Sequence, residues 1–265
     1  MSALDGIVVT PVRGVAARRI AGAWDWAEAN RDRIAAHWAG LTRANPSLYN
    51  GRVLVRRRQE LSGDSLSLDY VETDYASFIA FRDLGFPDPT TGNGFAMAAL
   101  RAGDGAWLLG RMGGHTANAG KIYFPAGTPD PDDVLPDGTV DLAGSVMREL
   151  AEETGLAADA IERTERWTAV FAGARTAMMR EVRAPGSAEA VRDRIRAFLA
   201  GEPTPELADI HIVRAPDDID AQAMPPFMQA FLHARFATML RDSSLQCDRP
   251  TEASIEDAEG ERRGR

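Results

Sequence analysis

The run Arg148-Glu149-Leu150-Ala151-Glu152-Glu153-Thr154-Gly155-Leu156 constrains this chain more than any other stretch. It reads as the last turns of a helix stopped by a glycine. Positions i, i+3 and i+4 share a helix face, so Glu149, Glu152 and Glu153 converge. A bare helix gains nothing from this. Glu149 and Glu153 are like charges at i,i+4, which costs about 0.2–0.5 kcal/mol. The C-terminal end of a helix also carries partial negative charge and favours Lys or Arg. Only Arg148, four residues before Glu152, relieves the cluster. Several local rules broken in one place mark a functional site. A divalent cation converts the repulsion into attraction, and hard cations such as Mg²⁺ take oxygen ligands while also holding substrate phosphates.

At 265 residues the chain can bury a sizeable core. Its 45% hydrophobic and 26% charged content is that of a globular protein. A net charge of −9, from 30 basic against 39 acidic residues, argues against nucleic acid or an anionic membrane as the main partner. Cys247, the single cysteine, excludes an internal disulfide and suits a reducing cytoplasm. The first residues lack a basic region followed by an apolar run, so no signal peptide is expected. No apolar stretch reaches the roughly 18 residues of a membrane helix.

Hydrophobic spacing predicts a helix over 14–40, two strands at Val53–Val55 and Leu66–Val71 joined at Ser62-Gly63-Asp64, and a short helix over Tyr75–Leu84. A second hairpin, Phe95–Arg101 and Trp107–Arg111, turns at Gly103-Asp104-Gly105. A strand at Lys121–Phe124 leads into a long loop. The acidic helix begins near Asp141, a fitting N-cap, and stops at Gly155. A hairpin of Trp167–Ala172 and Thr176–Val182, a helix over Ser187–Leu199, a strand at Ile210–Val213 and a helix over Pro226–Leu240 follow. Residues 243–265 are polar and expected to be disordered.

The run RELAEETGL resembles the second half of the Nudix box, G-x5-E-x7-R-E-U-x-E-E-x-G-U with U apolar. Every fixed position of that half is present: Arg148, Glu149, Leu150, Glu152, Glu153, Gly155 and Leu156. The first half departs. Val140 stands where the family has its first Glu, Val134 stands at the leading Gly, and Thr128–Asp133 lengthen the loop that follows Phe124-Pro125-Ala126-Gly127. The resemblance implies an α/β (α+β) Nudix fold, a mixed sheet sandwiched between helices, over 93–242. Residues 1–92 then form an N-terminal extension of helix, hairpin and short helix, and 243–265 a tail.

The resemblance further implies hydrolysis of a nucleoside diphosphate linked to another group, with Mg²⁺ or Mn²⁺ as cofactor. Glu149, Glu152 and Glu153 match the family's metal ligands. Glu149 and Glu152, with Arg148, match its catalytic residues, Glu149 being either a third ligand or the general base. Arg148 keeps its proton and would orient a box glutamate. Two roles are open to Asp141: partner of Arg148 in place of the missing Glu, or N-cap alone. The Ala126-Gly127 backbone is a candidate for metal or substrate contact. Arg111 and His115, the latter in the glycine-rich loop 113–120, are candidates for phosphate or sugar, each with an ordinary structural role as the alternative. Glu181 and Glu206 lie where they could return to the site, but read as solvated charges.

The expected partner is a small-molecule nucleoside diphosphate derivative. Trp38, the segment Asn45-Pro46-Ser47-Leu48-Tyr49-Asn50-Gly51, and Tyr75-Ala76-Ser77-Phe78 resemble a Nudix branch acting on nucleotide sugars, so a nucleotide sugar leads. ADP-ribose, another nucleoside diphosphate derivative, or a catalytically silent nucleotide sensor remain alternatives. Tyr49, Phe95 or Trp107 could stack on the base. The histidines His37, His211 and His233 form no zinc pattern, and no nucleophile elbow occurs. A homodimer rests on family analogy alone.

Overall fold

The computed structural model describes residues 4–247, with side chains as far as residue 239. In chain order the strands are β1 (Val8–Val12), β2 (Gly14–Arg19), β3 (Arg52–Ser62), β4 (Ser65–Asp74), β5 (Asn93–Ala102), β6 (Trp107–Met112), β7 (Ile122–Tyr123), β8 (Glu162–Ala172), β9 (Arg175–Ala184) and β10 (Leu207–Val213). The helices are α1 (Asp25–Ala29), α2 (Arg31–Ala44), α3 (Tyr75–Asp83), α4 (Leu142–Thr154), α5 (Ala188–Leu199) and α6 (Pro226–Cys247).

The main sheet runs β1-β8-β9-β5-β6-β10, with β7 on β6, and is mixed: β5 and β9 are parallel and the other pairs antiparallel. Side chains alternate across its plane. Ala96, Ala98, Leu100, Leu108, Met178 and Val182 face one way and join Leu142, Val146 and Leu150 of α4 and Val191, Ile195 and Leu199 of α5. Phe95, Met97, Trp107, Leu109 and Met179 face the other way and join Met228, Phe231, Leu232 and Phe236 of α6. The sheet is thus sandwiched between helices, the architecture the box resemblance implies.

Residues 14–40 are not one helix. Gly14–Arg19 form β2, which pairs in parallel with β4, and helix resumes as α1 and α2. The Ala-rich segment offers no strong strand pattern of its own; pairing along β4 decides it. The hairpin of β3 and β4 turns at Gly63, whose φ of 60° suits glycine. β2, β4 and β3 make a separate three-stranded sheet, while β1 is the edge strand of the main one. The segment before residue 92 is therefore stitched into the main sheet. Its tryptophans pack inside it: Trp24 meets Phe81 edge-on and Trp38 meets Tyr75. The last helix extends past Leu240 to Cys247, so the start of the expected disordered tail is helical; the remainder, 248–265, lies outside the described residues. No helix among the described residues is long and apolar enough to cross a membrane.

Candidate active site

Helix α4 carries the box. Leu142, Val146 and Leu150 bury one stripe against the sheet. Asp141 accepts a hydrogen bond from the Gly144 N–H, and Gly155 closes the helix in the left-handed region at φ 69°. This phase aims the acidic turn at the loop that follows β7.

There Glu149 and Glu153 grip one short stretch of backbone. The Ala126 N–H donates to Glu153 Oε1 at 3.0 Å. Gly127 lies so close to Glu149 that a Cβ built on it would stand 2.2 Å from Oε1. A side chain at 127 would push the Glu149 carboxylate away from this backbone, so the glycine leaves room for the approach. Glu153 is 5% exposed, and its Oε2 is buried with no hydrogen-bond partner. Burial pushes its carboxyl up to about 9, with Glu206 adding repulsion and the Ala126 bond opposing. Burial also pushes Glu149 up to about 7, against the pull of Arg148 and with repulsion from Glu152, Glu206 and Asp133. Glu152 stays exposed and is drawn towards Arg148 at 3.6 Å.

Arg148 finds a partner that the sequence reading passed over. Its Nη2 donates to Asp133 Oδ1 at 2.9 Å, while Nη1 donates to Glu149 Oε1 at 3.0 Å. Burial works against the guanidinium's charge, but these carboxylates outweigh it and raise its pKa. Asp133 is buried and fully engaged, accepting also from Ser145 Oγ and the Asp130 N–H. Asp141 caps the helix, and the acid that meets Arg148 comes instead from the lengthened loop. That loop is pinned to the smaller sheet: Leu54 N–H donates to Pro129 O, Arg19 N–H to Gly138 O, and Val140 N–H to Ala17 O. The acidic run Asp130–Asp133, ending beside the position of the box glycine, was the available signal.

Glu206, just before β10, is exposed, as its reading as a solvated charge expects. It reaches solvent yet stands on the rim of the cluster. Desolvation by the surrounding protein raises its pKa, His115 opposes this, and Glu152 adds to it. His115 is exposed beside Gly113, and its backbone carbonyl accepts from Asn45 of the N-terminal segment. Arg111 donates to Gly120 O at the far side of its strand and does not line the cleft described next. Glu181 is not solvated: it is buried among Arg101, Arg183 and Arg235, away from the box.

A cleft of about 660 Å³ opens beside the Ala126-Gly127 backbone. Phe95, proposed for base stacking, lines it together with Tyr75, Phe78, Tyr123 and Phe227, none of which sequence reasoning assigned to stacking. Trp107 is fully buried against Phe124 and Phe231, and Tyr49 is exposed outside the cleft, so neither stacks there.

Among the described residues no three Asp, Glu, His or Cys side chains are gathered tightly enough to form a ready metal cage. The donors nonetheless fit a hard divalent cation. They are carboxylate oxygens, one of them, Glu153 Oε2, is buried and unpartnered, and the exposed Glu152 can swing towards it.

No family model matches this chain, and no curated protein does. Solved structures do, each over part of the chain. The Nudix hydrolase RenU from M. smegmatis is 18% identical, with a TM-score of 0.35, over 56% of this chain and 86% of its own. The MutT protein of Methanosarcina mazei Go1 is 19% identical, with a TM-score of 0.34, over 55% and 93%. The Bacillus subtilis pyrophosphohydrolase BsRppH is 13% identical, with a TM-score of 0.34, over 74% and 98%.

Proposed function

We propose that this chain is a Nudix hydrolase that cleaves the diphosphate of a nucleoside diphosphate linked to another moiety, with Mg²⁺ or Mn²⁺. One observation carries the reading: two desolvated glutamates from one helix turn converge on the Ala126-Gly127 backbone, one of them with an orphaned buried oxygen. A buried carboxylate oxygen without a partner is costly, and a divalent cation held by these glutamates would remove that cost.

Glu149, Glu152 and Glu153 would hold the ion, which supplies neutralisation of the diphosphate oxygens and a lowered pKa for an attacking water. The chain's own residues do the rest. Asp133 fixes Arg148, and Arg148 orients Glu149 through its Oε1. Glu149 is a ligand or the proton acceptor. The aromatic cleft next to Gly127 takes the nucleoside and shields it from water. A nucleotide sugar is the leading substrate, on the resemblance of the segment that ends in Tyr75 and Phe78, both of which line the cleft. ADP-ribose is the second reading.

The test is hydrolysis of a panel of nucleotide sugars, ADP-ribose, NADH, diadenosine polyphosphates and CoA with Mg²⁺ or Mn²⁺, with products identified by mass. Release of two phosphorylated products from a diphosphate is expected. Binding without products over hours would make the chain a nucleotide sensor instead.

A further inference from the structure

The lining of the cleft also carries charge of the opposite sign to the box glutamates. Arg82 of α3, Arg175 at the start of β9, and Lys121 line it. In a chain of net charge −9 this is a local reversal. Lys121, the sole lysine of the sequence, donates to the Gln222 carbonyl at 3.4 Å and meets no carboxylate within ion-pair distance among the described residues.

Arg175 is the informative member. It is half-buried, and among the described residues its guanidinium makes no ion pair and no side-chain hydrogen bond; its one close contact is the Phe86 ring, 4.7 Å away. Desolvation lowers its pKa, and the charge of Arg82 lowers it further. Arg82 pairs with the neighbouring Asp83 at 2.8 Å, so Arg175 is the member without an acid, and only its stacking on Phe86 offsets the cost of its partial burial. The platform beneath it is also held under constraint. Phe86 is the only non-glycine among the described residues with positive φ, at 57°, and its ring is fixed edge-on against Phe81. Fold stability does not call for this arrangement. A guanidinium pre-aimed by a ring into a cleft, with its partner absent from the protein, calls for an anion on the ligand.

We propose that Arg82 and Arg175 form an anion subsite in the lining of this cleft, and that the substrate carries a second negatively charged group, a phosphate monoester or a carboxylate, beyond the diphosphate that is cut. The proposal rests on reading the cleft as the substrate site. These groups then divide the ligand: the carboxylates take the diphosphate through a cation, the aromatic side chains take the ring system, and the arginines take the remaining anion directly.

Matched substrate pairs that differ by one anionic group test this: NADPH against NADH and CoA against dephospho-CoA for phosphate, UDP-glucuronate against UDP-glucose for carboxylate. At least one member with the extra anion should exceed the partner that lacks it by about tenfold or more in kcat/KM, the effect of a charge-assisted pair in a partly desolvated site. Arg175→Gln should bring that ratio to near one, Arg82→Ala should lower it, and Arg175→Lys should restore part of it. Equal rates within every pair, or a ratio that survives both Arg175→Gln and Arg82→Ala, would overturn the proposal. Equilibrium binding of the same pairs separates this from failure of the hydrolase reading. If nothing is cleaved but a member with the extra anion binds more tightly and Arg175→Gln removes the difference, the subsite stands and the hydrolase falls; if nothing is cleaved and the pairs bind equally, both fall.

Discussion

The two ends of the cleft are both electrostatically unsatisfied, with opposite sign. At one end carboxylates are buried beside one another, and Glu153 has an oxygen with no donor. At the other a half-buried guanidinium lacks any acid. Glu181 and Asp133 differ from both: Glu181 is ringed by Arg101, Arg183 and Arg235, and Asp133 is saturated by Arg148, Ser145 and Asp130. Burial alone does not mark a binding charge, since Arg56 is buried with, among the described residues, only the Ala174 carbonyl as partner and lies outside the cleft. What sets the two ends apart is that their unsatisfied groups stand in or beside one cleft.

The largest way to break this contrast is at the acidic end. Glu152→Gln or Glu153→Gln should lower turnover by roughly 10³-fold, about 4 kcal/mol at 1.36 kcal/mol per tenfold, while circular dichroism stays unchanged. Full activity in both variants would remove the cation from the mechanism. Next is the acid that holds Arg148. Asp133→Asn should reduce kcat/KM by about 10–100-fold, the usual consequence of losing a group that orients a metal-site residue. Asp141→Ala should instead leave the rate nearly untouched and lower stability by about 1 kcal/mol as a lost N-cap, read from denaturant unfolding. The reverse result would return Asp141 to the role of Arg148's partner. Gly127→Ala should cut activity by displacing Glu149, with the loss appearing in kcat more than in the melting temperature. The smallest effect is on metal-free protein: Glu153→Gln relieves a buried carboxylate, so its melting temperature should rise by a few degrees, and the gain that Mg²⁺ should give the wild type should vanish in the variant.

The acidic end was legible because nine consecutive residues build it, and helix periodicity alone brings Glu149, Glu152 and Glu153 to one face. The N-cap at Asp141 and the stop at Gly155 were legible for the same reason. Asp133 was not, because its value depends on how the loop from Thr128 folds back under α4, and that path is set by hydrogen bonds to Ala17, Arg19 and Leu54, all distant in sequence. The basic end was illegible for a stronger version of that reason: Arg82, Lys121 and Arg175 come from three elements and meet only in the tertiary structure. β2 was misread because strand pairing, not local pattern, makes it a strand. Glu206 carries no signal of its own; only the return of the chain before β10 brings it to the rim.

The bonds from Ala17, Arg19 and Leu54 to the loop have a practical meaning. A chain cut to begin at residue 93 would keep every letter of the box yet lose the scaffold that presses Asp133 against Arg148. Transplanting the nine-residue run into another protein would fail for the same cause. What looks like a portable signature is one face of a joint whose other face was written more than a hundred residues earlier.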